Sequence, residues 1–106
     1  MFTRWKDAGV LLDPANFDEP DWIALKDPSI VHHGGRWHMF NTLRGRQRTH
    51  GMTYTCFDTL ELMGTPTPVV LPNHDGFWAA PHVFFYEPDE TWYLFCQAKR
   101  DDWGEG

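Results

Sequence analysis

One phrase occurs twice in this sequence, and it restricts the fold more than any other feature. Asp27-Pro28-Ser29-Ile30-Val31-His32-His33, a turn at Gly34-Gly35 and then Trp37-His38-Met39-Phe40 form the first copy. Ala80-Pro81-His82-Val83-Phe84-Phe85-Tyr86, a turn through Pro88 and Asp89 and then Trp92-Tyr93-Leu94-Phe95 form the second. The prolines are 53 residues apart and the tryptophans 55, so the second turn is two residues longer. Each copy reads as proline, strand, turn, strand. Its arms are rich in β-branched and aromatic residues, and Gly34-Gly35 supplies positive φ at low cost. A repeat near 50 residues built from three or four short strands is the signature of a β-propeller blade. A single blade cannot cover both of its faces, so neighbours must. The expectation is an all-β chain forming the first two blades of a longer, here incomplete, β-propeller. The alternative is a stand-alone β-sandwich or meander of about seven strands, which has no need of the repeated phrase.

The rest of the chain fits around this frame. Residues 1–21 read as a connecting segment, with Val10-Leu11-Leu12 as an edge strand or outer cover and turns at Asp13-Pro14 and Glu19-Pro20. Residues 22–71 read as the first blade with its outer-strand region, and 72–106 as the start of a truncated second. Within the first blade, Trp22-Ile23-Ala24-Leu25 is an apolar stub packing beneath a strand end. Gly51 to Phe57 is a third strand, Asp58 to Gly64 a helical turn or loop, and Val69-Val70-Leu71 a short edge-like strand. No helix longer than one or two turns is expected.

Charge and cysteine usage narrow the function classes. Nine Lys plus Arg against fifteen Asp plus Glu leave a net charge of −6 and no basic stripe to neutralise phosphates, which argues against a nucleic-acid partner. The cluster Arg44, Arg46, Arg48 and His50 reads as a solvated loop. Cys56 and Cys96 sit in no metal or redox spacing and read as buried, reduced thiols. No apolar run is long enough to span a membrane. Met1 to Gly9 shows no signal-peptide core, so a cytoplasmic location is the default, with secretion the alternative if that start is not the natural one. The chain has no His-Glu-x-x-His, no glycine-rich phosphate loop and no Gly-x-Ser-x-Gly elbow, and no metal ligands or cofactor are expected.

Repeats disclose function where they differ. At the place of Ala80 in the second copy, the first carries Asp27. A carboxylate costs several kcal/mol to bury uncompensated, so packing alone gives no reason for it. It is either aimed into an axial pocket or caps a loop and neutralises Lys26. Its place before Pro28 predicts an element boundary in an extended or turn conformation. Candidate partners at the same mouth are Lys26, Asn41, Arg44 and His50, the loop residues His74, Asp75, Phe77 and Trp78, and His82 at the start of the second inner strand. Trp78 beside Phe77 is the ring on which a sugar face would stack, with a core role as the alternative. Trp37 and Trp92, at repeated positions, are structural.

With these residues in view, the chain resembles the five-bladed β-propeller glycoside hydrolases of families 43 and 62, the arabinofuranosidases and xylosidases. Trp22-x-Ala24-Leu25-Lys26-Asp27 resembles a phrase of the branch acting on arabinoxylan. Phe77-Trp78-Ala79-Ala80-Pro81 with Trp92-Tyr93-Leu94 resembles the second-blade phrase of the wider group. The similarity runs from Trp22 to Ala98. It implies an inverting mechanism with a general base, a general acid and an aspartate that tunes the acid, releasing terminal arabinofuranose or a related pentose from plant polysaccharide. Asp27 matches the base. The other two carboxylates would lie beyond Gly106, so the chain is expected to be inactive alone. Members of the wider group often hold a calcium ion or a water on the axis through a histidine, so the resemblance leaves room for an axial calcium in the full-length protein, tied to no residue here. The alternatives are a non-catalytic carbohydrate-binding propeller and a related fructan-type hydrolase or sugar phosphorylase.

Overall fold

The structure is a computed structural model that describes residues 4–47, 50–72 and 77–99. It contains two antiparallel sheets that do not close on one another. The first joins, in spatial order, β1 (Trp22–His33), β2 (Arg36–Gly45), β3 (Gly51–Phe57) and the short β4 (Val69–Val70). The second joins β5 (Phe77–Tyr86) to β6 (Thr91–Lys99). Three single-turn 3-10 helices (Pro14–Asn16, Leu60–Leu62 and Glu87–Asp89) complete the regular structure. The architecture is that of a partial, incomplete β-propeller.

The strand registers match the sequence repeat position by position. His32 faces Trp37 across the first hairpin, and Phe85 faces Trp92 across the second. The first turn uses Gly34 and Gly35 at φ +61° and +75°, as a two-residue hairpin with two left-handed positions requires. The longer second turn runs through Glu87–Asp89 and closes on Glu90 at φ +50°. Each long inner strand is interrupted at the repeat, between Lys26 and Ser29 in β1 and between Ala79 and His82 in β5, and β1 has a further shift between Trp22 and Ala24. The two interruptions at the repeat fall on its proline, which has no N–H to give the ladder and is accommodated at a bulge.

At the bulge the structure departs from the sequence expectation. Asp27 does not mark a strand boundary, and it is not extended. It lies inside β1 at φ +53°, and Ala80 occupies the same left-handed region in β5 at φ +54°. The apolar stub Trp22 to Leu25 therefore belongs to β1, which continues through the bulge instead of starting after it. A bulge lets the ladder resume past proline by inserting one extra residue, and that is why proline did not end the strand.

Two side chains of the first sheet tie it to β5. The Ala80 N–H donates to Thr42 Oγ1 at 2.7 Å, and the Val83 N–H donates to Ser29 Oγ at 3.0 Å. Thr42 is fully buried. These hydroxyls occupy the face that also carries Val31, Phe40 and Tyr54. Together with His33, Val83 and Trp92 these residues line an apolar cleft of about 380 Å³ between the sheets. The opposite face of the first sheet holds a second core from Met39, Leu43 and Phe57; each such side chain contributes about 1.5–3 kcal/mol when fully buried. The expected covering segment around Leu11 is not a strand, but its backbone lies directly over Gly64. A Cβ on Gly64, at φ +85°, would collide with the Leu11 carbonyl oxygen.

The outer face of the second sheet is open. Phe84, Tyr93 and Phe95 cluster there with ring centroids 5.2 to 6.1 Å apart, and Phe95 is 59% exposed. By the repeat, this is the counterpart of the first-sheet face that receives β5. Cys56 and Cys96 are free, and half-buried where full burial is expected. Burial pushes the Cys96 thiol above its usual range. Among the described residues no helix is long and apolar enough to cross a membrane.

Candidate active site

The site is best built outward from the β1 bulge. Asp27 stands there with its side chain exposed, as do Lys26 before it and Arg44 on β2. Lys26 is the register partner of Thr42, and Arg44 that of Ala24. Directly opposed residues share a sheet face, so both basic residues lie on the face that meets β5. His50, just before β3, completes the group from the same side. Its ring packs on Phe77, the first residue of β5, with centroids 4.4 Å apart and a 55° tilt.

The electrostatics of His50 show which charges are its neighbours. Burial holds the imidazole below its ordinary pKa, and the cations Lys26 and Arg44 push in the same direction, while Asp27 opposes them. His50 Nδ1 is buried and makes no hydrogen bond among the described residues. Asp27 is the acidic group that acts on it. The bulge thus gathers one solvent-facing carboxylate, two cations, an imidazole whose charged form burial disfavours and an aromatic ring. Such a set can accept a proton, bind hydroxyls and offer an apolar face to a small polar molecule.

Not every other residue expected at this mouth is gathered there. Asn41 is only 3% exposed and belongs to the Met39–Leu43 face, turned away from β5. It therefore cannot touch a sugar; its Nδ2 instead donates to the Lys26 carbonyl oxygen at 3.4 Å. Trp78 is not separated in this way: it pairs with Ala98, on the face of the second sheet that Leu94 and Val83 share and that turns toward the first sheet. Its Nε1 is buried without a hydrogen-bond partner among the described residues. His82 stands beside Phe84, with ring centroids 5.4 Å apart, on the face of β5 opposite Val83. It is not gathered with Asp27. His74 and Asp75 lie outside the described residues.

The apolar cleft between the sheets shares no lining residue with this group and contains no carboxylate, so it is a packing seam and not the seat of the chemistry. Among the described residues no three His, Cys, Asp or Glu side chains are grouped to hold a metal ion. Ser29 and Thr42, which tie β5 to the first sheet behind this site, are what sequence reasoning missed. Their signal was a small hydroxyl on each strand of a repeated hairpin, which becomes legible only once the two sheets are seen side by side.

Comparison with known proteins places this arrangement. No family model matches the chain. It is 34% identical over 95 residues to alpha-L-arabinofuranosidase C of Cellvibrio japonicus, covering 89% of the chain and 14% of that protein. It superposes on the catalytic domain of a family 62 alpha-L-arabinofuranosidase from Coprinopsis cinerea with a TM-score of 0.71 and 32% identity, over 84% of the chain and 28% of that domain. An alpha-L-arabinofuranosidase from Podospora anserina, solved in complex with cellotriose, gives a TM-score of 0.69 and 28% identity with the same coverage. The chain thus spans roughly a quarter of the solved catalytic domains and a smaller share of the curated relative. It has the β-propeller fold of the arabinofuranosidase- and xylosidase-like glycoside hydrolases of families 43 and 62, and represents part of that fold.

Proposed function

We propose that this chain supplies the general base of an inverting glycoside hydrolase that removes terminal α-L-arabinofuranose from arabinoxylan-type polysaccharide, with Asp27 as that base. The observation carrying the reading is the contrast between two bulges of the same geometry. Asp27 and Ala80 share their backbone conformation and their place before proline, so the fold does not ask for a carboxylate at Asp27. The side chain is exposed, adjacent to Lys26 and close enough to act on His50, whose other neighbours are Arg44 and the Phe77 ring. The relatives' activity supports the choice of substrate class.

In this mechanism Asp27 takes a proton from a water molecule as the water attacks the anomeric carbon from the face opposite the leaving group. A general acid protonates the departing glycosidic oxygen, and the sugar is released with inverted configuration. The two carboxyl groups of such a pair stand about 6.5–9.5 Å apart, leaving room for the water. Lys26 and Arg44 donate hydrogen bonds to sugar hydroxyls, and His50 on Phe77 forms the wall behind them. The general acid and the aspartate that tunes it belong to other blades of the complete propeller, so the chain by itself does not turn over substrate.

The test is Asp27→Asn in the complete polypeptide, assayed for arabinose release from arabinoxylan, with the anomer of the first-formed product read by NMR. General-base catalysis contributes about 10²–10⁴-fold; a loss of that size, with substrate binding retained and the wild type giving the inverted anomer, is the expected result. Activity within a few-fold of wild type would remove Asp27 from the base role.

A further inference from the structure

We infer that Asn41 is a positioning residue for Asp27: its carboxamide, buried behind the β1 bulge, fixes the peptide that joins Lys26 to Asp27 and hence the direction of the carboxylate. This rests on the assignment of Asp27 as general base. Asn41 sits on β2 opposite Thr53 of β3 and is 3% exposed, so it acts on nothing outside the protein directly. Among the described residues its side chain bonds through Nδ2 to the Lys26 carbonyl oxygen, at 3.4 Å. That oxygen belongs to the peptide unit immediately before the left-handed residue. The bond is long, and it matters as a restraint on the tilt of one peptide plane more than as a source of stability.

Two observations argue that this amide is not there for the fold. First, it is an unfavourable residue to bury. Asn41 Oδ1 and the hydroxyl of its register partner Thr53 have no hydrogen-bond partner among the described residues, and an incompletely bonded buried amide is disfavoured against an apolar side chain of similar size. Second, the repeat provides an internal control. The residue equivalent to Asn41 in the second sheet, 55 positions on, is Cys96. There the bulge forms with Ala80 at φ +54°, against +53° at Asp27, with no amide behind it. The bulge geometry is thus available without Asn41. The amide occurs in the copy that carries the carboxylate and is replaced in the copy that does not. Catalysis is sensitive to such a restraint, since a misplacement of about 1 Å can cost about 10²-fold in rate.

The experiment compares Asn41→Cys, which installs the residue the second copy already tolerates, and Asn41→Ala with Asp27→Asn in the complete polypeptide. The readouts are kcat and KM on arabinoxylan and the thermal midpoint. The expected result is a kcat about 10–100-fold lower in both Asn41 variants, with KM nearly unchanged and the midpoint of the Cys variant close to wild type. If Asp27→Asn is inactive while both Asn41 variants keep kcat within about three-fold of wild type, the positioning role is wrong and the base assignment stands. Loss of activity that tracks a fallen midpoint, with kcat and KM changing together, makes Asn41 merely structural and also overturns it. An active Asp27→Asn variant removes the base assignment and the positioning role with it.

Discussion

Replacing Ala80 by glycine should stabilise the protein, although glycine usually weakens a strand. Ala80 holds φ +54° inside β5, and a non-glycine residue in that region costs about 1–2 kcal/mol. Glycine removes this cost but loses about 0.5–1 kcal/mol through the larger freedom of the unfolded chain. The Ala80 methyl is exposed, so little burial is lost, and the N–H that bonds Thr42 Oγ1 at 2.7 Å is kept. The net effect is a gain of about 0.5–1 kcal/mol, or several degrees in the unfolding midpoint for a domain of this size. Ala79→Gly is the control. One residue earlier, buried, and outside the positive-φ region, it should lose about 1–2 kcal/mol from backbone entropy and the missing methyl. Urea or thermal unfolding of the two variants beside wild type decides the matter. If Ala80→Gly destabilises as much as Ala79→Gly, the left-handed bulge is not the conformation held in solution, and its equivalence with Asp27 loses its footing.

Two further outcomes follow from the bonds and charges around the bulges. Thr42→Val and Ser29→Ala each delete the acceptor of a β5 backbone N–H and should cost about 1–3 kcal/mol; unfolding energies unchanged within about 0.5 kcal/mol would mean that these hydroxyls do not join the sheets. Burial, assisted by Lys26 and Arg44, keeps His50 from holding a proton as tightly as it does in the unfolded chain. The unfolded state therefore takes up more protons as the pH drops below about 6.5, and stability should fall there while staying level above it. Comparing wild type with His50→Gln across pH 5 to 8 isolates this part, and identical slopes in the two proteins would contradict it.

Much of the architecture was readable because it was written twice. The offset between Pro28 and Pro81 located two equivalent inner strands, and the registers His32–Trp37 and Phe85–Trp92 follow from it directly. The bulge escaped notice because a residue before proline is ordinarily extended, and nothing local to Lys26-Asp27-Pro28 says otherwise. It is held by contacts from a distance in sequence, as the Thr42 bond to the Ala80 N–H shows in the second copy. The site was legible only in part for the same reason. Lys26, Arg44 and His50 are near Asp27 because β1, β2 and β3 bring their ends together. Which face each residue takes depends on the register across the bulge, and this sends Asn41 inward. His82 shows the limit most plainly. Its place at the start of the second inner strand suggests the same mouth as Asp27, yet one step of alternation past the β5 bulge puts it on the outer face beside Phe84.

Strained backbone is often taken as a mark of an active site, and the β1 bulge on its own would invite that reading. A non-glycine residue at φ +53° carries a cost of order 1–3 kcal/mol, and Asp27 is the best candidate for chemistry in the chain. The second copy shows why the inference fails in that form. Ala80 carries the same strain with no functional group at all, so the strain belongs to the way a proline is accommodated in an inner strand. Aspartate tolerates the left-handed region better than alanine does, and the first blade is therefore the less strained of the two. What function has added is a side chain placed on geometry the fold already required. If the buried amide of Asn41 proves to steer that side chain, the first blade departs from its repeat by the carboxylate and by the residue that aims it.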